Sequence, residues 1–117
     1  MRIAINGFGR IGRIVLRTLQ KKEGMEIVAI NDLTEASTLA HLLKYDSVHR
    51  SFPGEVYAQG SQLFVNGKSI RVYSESNPLN LPWKELDVDL VIESTGKFIA
   101  KDKASLHLQA GAKQVLI

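Results

Sequence analysis

The chain has 117 residues, 15 Lys and Arg against 12 Asp and Glu, a formal net charge of +3, and no Cys. That length suits one domain that buries roughly two-thirds of its unfolded surface. The lack of Cys excludes a disulfide framework, a Cys-ligated metal site and a thiol nucleophile within these residues, and it accords with a reducing compartment. No apolar run approaches the ~20 residues of a membrane helix, and the apolar stretch of Met1–Asn6 is too short for a secretory leader.

In chain order, Arg2–Asn6 reads as a short buried strand. Arg10–Lys22 reads as a helix with an apolar stripe at Ile11, Ile14, Val15 and Leu19 and a basic face at Arg10, Arg13, Arg17 and Lys21, closed by Gly24. Glu26–Asn31 is a second strand. Glu35–Tyr45 is a second helix, carrying Ala36, Leu39, Ala40 and Leu43, with Thr34 as its expected N-cap. Strands follow at Glu55–Ala58, Gln62–Val65 and Ser69–Tyr73, with a tight hairpin at Asn66–Gly67. Pro78 and Pro82 interrupt the chain, and Trp83–Leu86 suits one helical turn. Asp89–Glu93 has the apolar centre of a strand in a parallel sheet. A helix over Asp102–Gln109 and a strand from Gln114 to Ile117 complete the series. The order implies an α/β domain with a mostly parallel sheet, helices on both faces and a hairpin insertion near residues 55–74. Its last residues, Val115-Leu116-Ile117, read as a bare apolar strand expected to continue into a longer protein.

The charge is uneven. Arg2, Arg10, Arg13, Arg17, Lys21 and Lys22 all precede the first acid, Glu23, and the remainder carries nine bases against 12 acids. Such a segment fits a basic arm on nucleic acid, a local site for a phosphorylated ligand, or a solvated helix face.

Gly7-Phe8-Gly9-Arg10-Ile11-Gly12 discriminates among these. It follows a predicted strand, opens a predicted helix and lies in a β-α-β unit whose second strand ends at Asp32, 20 residues after Gly12. That context marks a dinucleotide-binding turn. Gly7 permits the tight turn, Gly9 lets a pyrophosphate approach the backbone, and Gly12 lets the helix pack near the strand. The N–H groups of Arg10 and Ile11 point at the phosphates along the helix dipole. Asp32 can accept hydrogen bonds from the adenosine ribose and would repel a 2′-phosphate. Leu33 offers no positive charge to reverse that preference, so NAD is expected over NADP. Ser94-Thr95-Gly96-Lys97-Phe98, after the fourth parallel strand, either walls the adenine through Thr95 and Phe98 or is a polar strand-to-helix loop.

His41, His49 and His107 lack metal-ligand spacing and read as surface or capping residues. Asp87, Asp89 and Glu93 read as solvated strand ends, and Trp83 and Tyr45 as packing residues. No catalytic residue and no metal site is expected within these residues.

Asn6 to Arg13, Asn31-Asp32-Leu33, His41 to His49, Glu93 to Phe98 and Ala110-Gly111-Ala112-Lys113 together resemble the phosphorylating glyceraldehyde-3-phosphate dehydrogenases, in order along the chain. The resemblance implies the larger part of an NAD-binding domain. Its cofactor set would be Asn6, Gly7, Phe8, Gly9, Arg10, Ile11, Gly12, Asn31, Asp32, Leu33, Ser76, Thr95, Gly96 and Phe98. It implies a full-length cytoplasmic homotetramer that oxidises a small phosphorylated aldehyde through a cysteine thiohemiacetal, hydride transfer to NAD and phosphorolysis. The cysteine and its activating histidine would lie beyond residue 117. Two departures stand out: Ser76, where the family often has Arg, and Arg50, where it usually has Gly. The cofactor domain of an erythrose-4-phosphate dehydrogenase and a stand-alone dinucleotide-binding module are the alternatives. Neither a membrane nor a specific nucleic acid is an expected partner.

Overall fold

A computed structural model of the chain describes residues 1–45, 55–96 and 100–117. The elements are β1 (Arg2–Asn6), α1 (Arg10–Leu19), β2 (Glu26–Asn31), α2 (Ala36–Lys44), β3 (Val56–Gln59), β4 (Gln62–Val65), β5 (Lys68–Tyr73), a short 3₁₀ turn (Pro78–Asn80), β6 (Leu90–Glu93), α3 (Ala100–Gln109) and β7 (Gln114–Leu116). One seven-stranded sheet runs in the order β3-β4-β5-β2-β1-β6-β7. Neighbours from β5 through β7 are parallel, and β3–β4 and β4–β5 are antiparallel.

The hairpin expected near residues 55–74 is present, and it lies within the sheet. β5 pairs in parallel with β2, through Ala29 with Arg71 and Asn31 with Tyr73, and is itself one of the parallel strands. The hairpin strands β3 and β4 extend the sheet beyond it. Asn66 (φ 51°) and Gly67 (φ 82°) both adopt the left-handed conformations that a two-residue hairpin turn needs.

Alternation along each strand sorts the core into two layers. Ile3, Ile5, Ile30 and Ile92 face one side with Leu16 of α1 and with Leu39 and Leu43 of α2. Ala4, Ala29 and Val91 face the other, with Trp83, Val88 and Ala112. Ala4 is paired with both Ala29 and Val91 across the strands, and these small side chains leave depth for the Trp83 indole.

Several local expectations change. α1 ends at Leu19, with Gln20 as C-cap, so Gly24 lies in the turn before β2. Its buried contacts are Gly12 and Leu16, with Val15 and Leu19 half-buried, whereas Ile11 (63% exposed) and Ile14 lie outside the stripe. α2 is capped by Glu35 without a side-chain bond. Thr34 instead donates its N–H to Asp32 Oδ1 (2.9 Å), a local turn that competes with capping. Trp83–Leu86 does form one turn, closed by Leu86 N–H to the Pro82 carbonyl (3.1 Å). α3 starts at Ala100, two residues before the expected Asp102.

Candidate cofactor site

The strand order reverses direction between β1 and β6, and a cleft of about 430 Å³ opens beyond the carboxyl ends of β2, β1 and β6. It is lined by Asn6, Gly7, Gly9, Asn31, Asp32, Leu33, Thr34, Glu75, Ser76, Ser94 and Thr95. The structure thus gathers residues from four segments far apart in sequence.

Gly7 has φ +92°, and a Cβ there would lie 2.8 Å from the Thr95 nitrogen, so the turn both needs glycine and rests on the β6 loop. Gly12 tucks under the turn: a Cβ would meet the Gly7 carbonyl oxygen at 2.4 Å and Ile5 Cγ2 at 3.2 Å. Gly9 differs. It is extended (φ −80°, ψ −155°), and a Cβ on it would meet nothing within 4 Å. Neither backbone strain nor the protein's own packing demands glycine here.

The first bond of α1 runs from Arg13 N–H to the Gly9 carbonyl (3.0 Å). The N–H groups of Arg10, Ile11 and Gly12 therefore have no helix carbonyl to bond and carry the positive end of the dipole. This is the donor set an anionic pyrophosphate requires. Arg13 Nη1 donates to the Phe8 carbonyl (3.2 Å) and Arg17 Nη2 to the Leu43 carbonyl (2.8 Å) near the end of α2. Half of the expected basic face is thus turned onto the protein instead of forming an open stripe.

Asp32 sits at the end of β2, where its Oδ2 accepts the Phe8 N–H (2.7 Å) and its Oδ1 the Thr34 N–H (2.9 Å). Both oxygens are oriented by backbone, and each keeps lone-pair capacity for a ribose hydroxyl. Phe8 contributes through that N–H alone, since its ring is buried in the core. Leu33 is exposed at the rim. Gly96 is exposed in the loop after β6, and Phe98, His49 and Arg50 lie outside the described residues.

Beneath the cleft runs a buried polar network that sequence reading missed. Asn31, Asn6 and Glu93 end β2, β1 and β6 in lateral register. Asn31 Nδ2 donates to Asn6 Oδ1 (2.7 Å), and Asn6 Nδ2 donates to Glu93 Oε1 (2.7 Å). Asn31 also brackets Glu75, accepting its N–H and donating to its carbonyl at 2.9 Å each, which sets the backbone leading to Ser76. Glu93 Oε2 accepts the Thr95 N–H (3.0 Å) and hydroxyl (2.7 Å). Ser94 Oγ donates to the Gly7 carbonyl (2.6 Å).

Glu93 is therefore buried, not a solvated strand end. Burial alone would raise its pKa, but bonds from His107, the Thr95 N–H, Asn6 and the Thr95 hydroxyl outweigh that and lower it from 4.5 to about 2. His107 is likewise no surface or capping residue: it is fully buried between Glu93 and Trp83. The available signal was the polar Glu93 at the end of an apolar run, since parallel strands that end at a crevice bring such residues side by side. Asp89 remains near the surface, where the Arg2 N–H and Lys113 lower its pKa. Trp83 packs as expected. Tyr45 does not, being 56% exposed and tilted against His41 with ring centroids 4.9 Å apart.

A glycine turn feeding a helix N-terminus, an acid ending the second strand and a crevice at the sheet's switch point define a Rossmann-type dinucleotide-binding domain. Residues 1–101 match the family described as "Glyceraldehyde 3-phosphate dehydrogenase, NAD binding domain". The chain is 61% identical over 118 residues to the glyceraldehyde-3-phosphate dehydrogenase of Thermotoga maritima, covering 99% of this chain and 35% of that protein. It is 56% identical over 117 residues to the Mycoplasma pneumoniae enzyme and to the cytosolic enzyme of Trypanosoma brucei brucei, covering all of this chain and 35% of each. The chain belongs to this family of NAD-binding domains, whose cofactor is NAD. It spans about a third of the length of the curated relatives it matches.

Proposed function

We propose that the chain is the cofactor-binding portion of a phosphorylating glyceraldehyde-3-phosphate dehydrogenase and holds NAD in the cleft beyond β2, β1 and β6. The observation that carries this reading is Gly9, a glycine for which the protein's own atoms give no reason, next to unbonded helix N–H groups and within the turn that Asp32 orients. In this reading the N–H groups of Arg10 and Ile11 bind the pyrophosphate and Asp32 the adenosine ribose. Gly7 and Gly12 shape the turn, while Asn6, Asn31 and the Phe8 N–H orient it. Leu33, Ser76, Thr95, Gly96 and Phe98 border the adenosine. Ser76 contributes backbone where a longer side chain is common in the family.

When bound, NAD supplies the hydride acceptor; these residues supply binding and orientation. The substrate of the full-length enzyme is a small phosphorylated aldehyde, its assembly a homotetramer and its location the cytoplasm. The 117 residues hold no Cys, so aldehyde oxidation is not expected of them alone. Isothermal titration of the chain with NAD and NADP, alongside an aldehyde-oxidation assay, tests the reading. Saturable NAD binding with weaker NADP binding and no turnover is expected. No NAD binding, or turnover by this chain, refutes it.

A further inference from the structure

His107 comes from α3, far in sequence from the glycine turn, and does not line the cleft. Its ring and the Trp83 indole are both 0% exposed. Trp83 Nε1–H donates to His107 Nδ1 (3.0 Å). An indole N–H can only donate, so Nδ1 must accept and the ring proton must sit on Nε2. Nε2 lies 3.0 Å from Glu93 Oε1 and donates to it. The 3.3 Å approach of Asn6 Nδ2 to His107 Nε2 is then a contact between two donors that share Glu93 Oε1.

The carboxylate divides its work. Oε1 takes the donors from inside the domain, His107 and Asn6, and Oε2 takes both donors of Thr95 on the cleft side. Rotation of Glu93 would move Thr95, and the Thr95 backbone rests against Gly7 of the phosphate turn. Bulk alone would be served as well by an apolar pair, without the desolvation of a buried carboxylate.

We infer that His107, held in one tautomer by Trp83, is a positioning residue for the cofactor cleft, fixing the Glu93 carboxylate that sets Thr95 and Asn6 on opposite sides of the β1/β6 crevice. This rests on the cofactor site proposed above. His107 touches no ligand; it acts through Glu93.

The test uses the 117-residue chain with His107→Leu, His107→Gln and Trp83→Phe. NAD affinity is read by calorimetry, the folded fraction by urea titration at the same temperature, and the His107 tautomer by its imidazole ¹⁵N shifts. The wild type should show the Nε2–H tautomer. His107→Leu should weaken NAD binding about tenfold at equal folded fraction, the weight of one hydrogen bond to a charged group. His107→Gln, whose carboxamide can present an N–H where Nε2 lies, should stay within about threefold of wild type. Trp83→Phe should release the second tautomer and weaken binding. His107→Leu binding NAD as tightly as wild type overturns the inference. So does a His107→Gln loss equal to that of leucine, or losses that follow only the unfolded fraction. Should His107→Leu fail to fold, Trp83→Phe decides, and wild-type affinity there overturns it. A wild-type chain that does not bind NAD overturns the cofactor reading and this inference with it. Unaffected variants of a binding wild type overturn the inference alone.

Discussion

Two alanine substitutions in the same glycine turn should fail in opposite ways. In Gly12→Ala the new methyl would lie 2.4 Å from the Gly7 carbonyl oxygen, about 1 Å inside ordinary contact. That oxygen belongs to backbone, held by the Ser94 hydroxyl at 2.6 Å, and cannot swing aside like a flexible side chain. Helix α1 must back away from β1, loosening Leu16 in the core. Overpacking of this kind costs about 1–3 kcal/mol. At about 4 °C per kcal/mol for a domain this size, the melting midpoint should fall by about 4–12 °C. Gly9→Ala places its methyl in open space on an extended backbone, so the free protein should keep its midpoint or gain slightly through a stiffer unfolded chain. Its NAD affinity should drop at least tenfold, because the methyl would occupy the surface on which the proposed site places the pyrophosphate. Thermal unfolding with and without NAD, combined with calorimetry, reads both effects. A Gly12→Ala protein with the wild-type midpoint, or a Gly9→Ala protein with wild-type affinity, would refute the geometric assignment of the turn.

Three further outcomes follow from the same geometry. Asp32→Asn should weaken NAD binding about tenfold and narrow the preference over NADP, since it removes the charge that strengthens ribose bonds and repels a 2′-phosphate; paired titrations with both cofactors check this, and an unchanged ratio contradicts it. Because the Glu93 pKa falls from 4.5 to about 2 on folding, the carboxylate contributes about 3 kcal/mol of stability that is complete above pH 4.5 and lost as pH drops towards 2. Urea midpoints between pH 2.5 and 6 should therefore fall more steeply for wild type than for Glu93→Gln, and parallel slopes would count against it. Gly67→Ala forces a methyl-bearing residue to φ 82° and should destabilise the β4–β5 hairpin by about 1–2 kcal/mol, read as a lower thermal midpoint with NAD affinity kept.

Legibility in the sequence followed the range of the interaction. Gly7, Gly9, Gly12 and Asp32 stood out because the turn and the strand that follows form one contiguous unit, so spacing alone implied their meeting. The Asn66–Gly67 turn was legible for the same reason: its left-handed backbone is a property of those two residues. The basic face of α1 was legible as periodicity but misleading as function, because Arg13 and Arg17 turn back onto carbonyls of Phe8 and Leu43. Which apolar residues α1 buries depended on the small rotation that packs Gly12 against β1, and this exchanged Ile11 and Ile14 for Leu16.

Chain pattern alone thus specified a strand-turn-helix that opens on a glycine turn, an acid ending the second strand and an α/β layering, since each depends on neighbours within about thirty residues. Strand order could not be read that way. Only pairing of β5 with β2 made the 55–74 segment part of the parallel sheet, because register is set by partners whose sequence distance carries no periodic signal. The same pairing logic aligned Asn31, Asn6 and Glu93 across three strand ends and brought α3 over them. There His107 and Glu93, unremarkable polar residues in the sequence, became a buried network, because a donor and an acceptor acquire meaning only when folding removes the water between them.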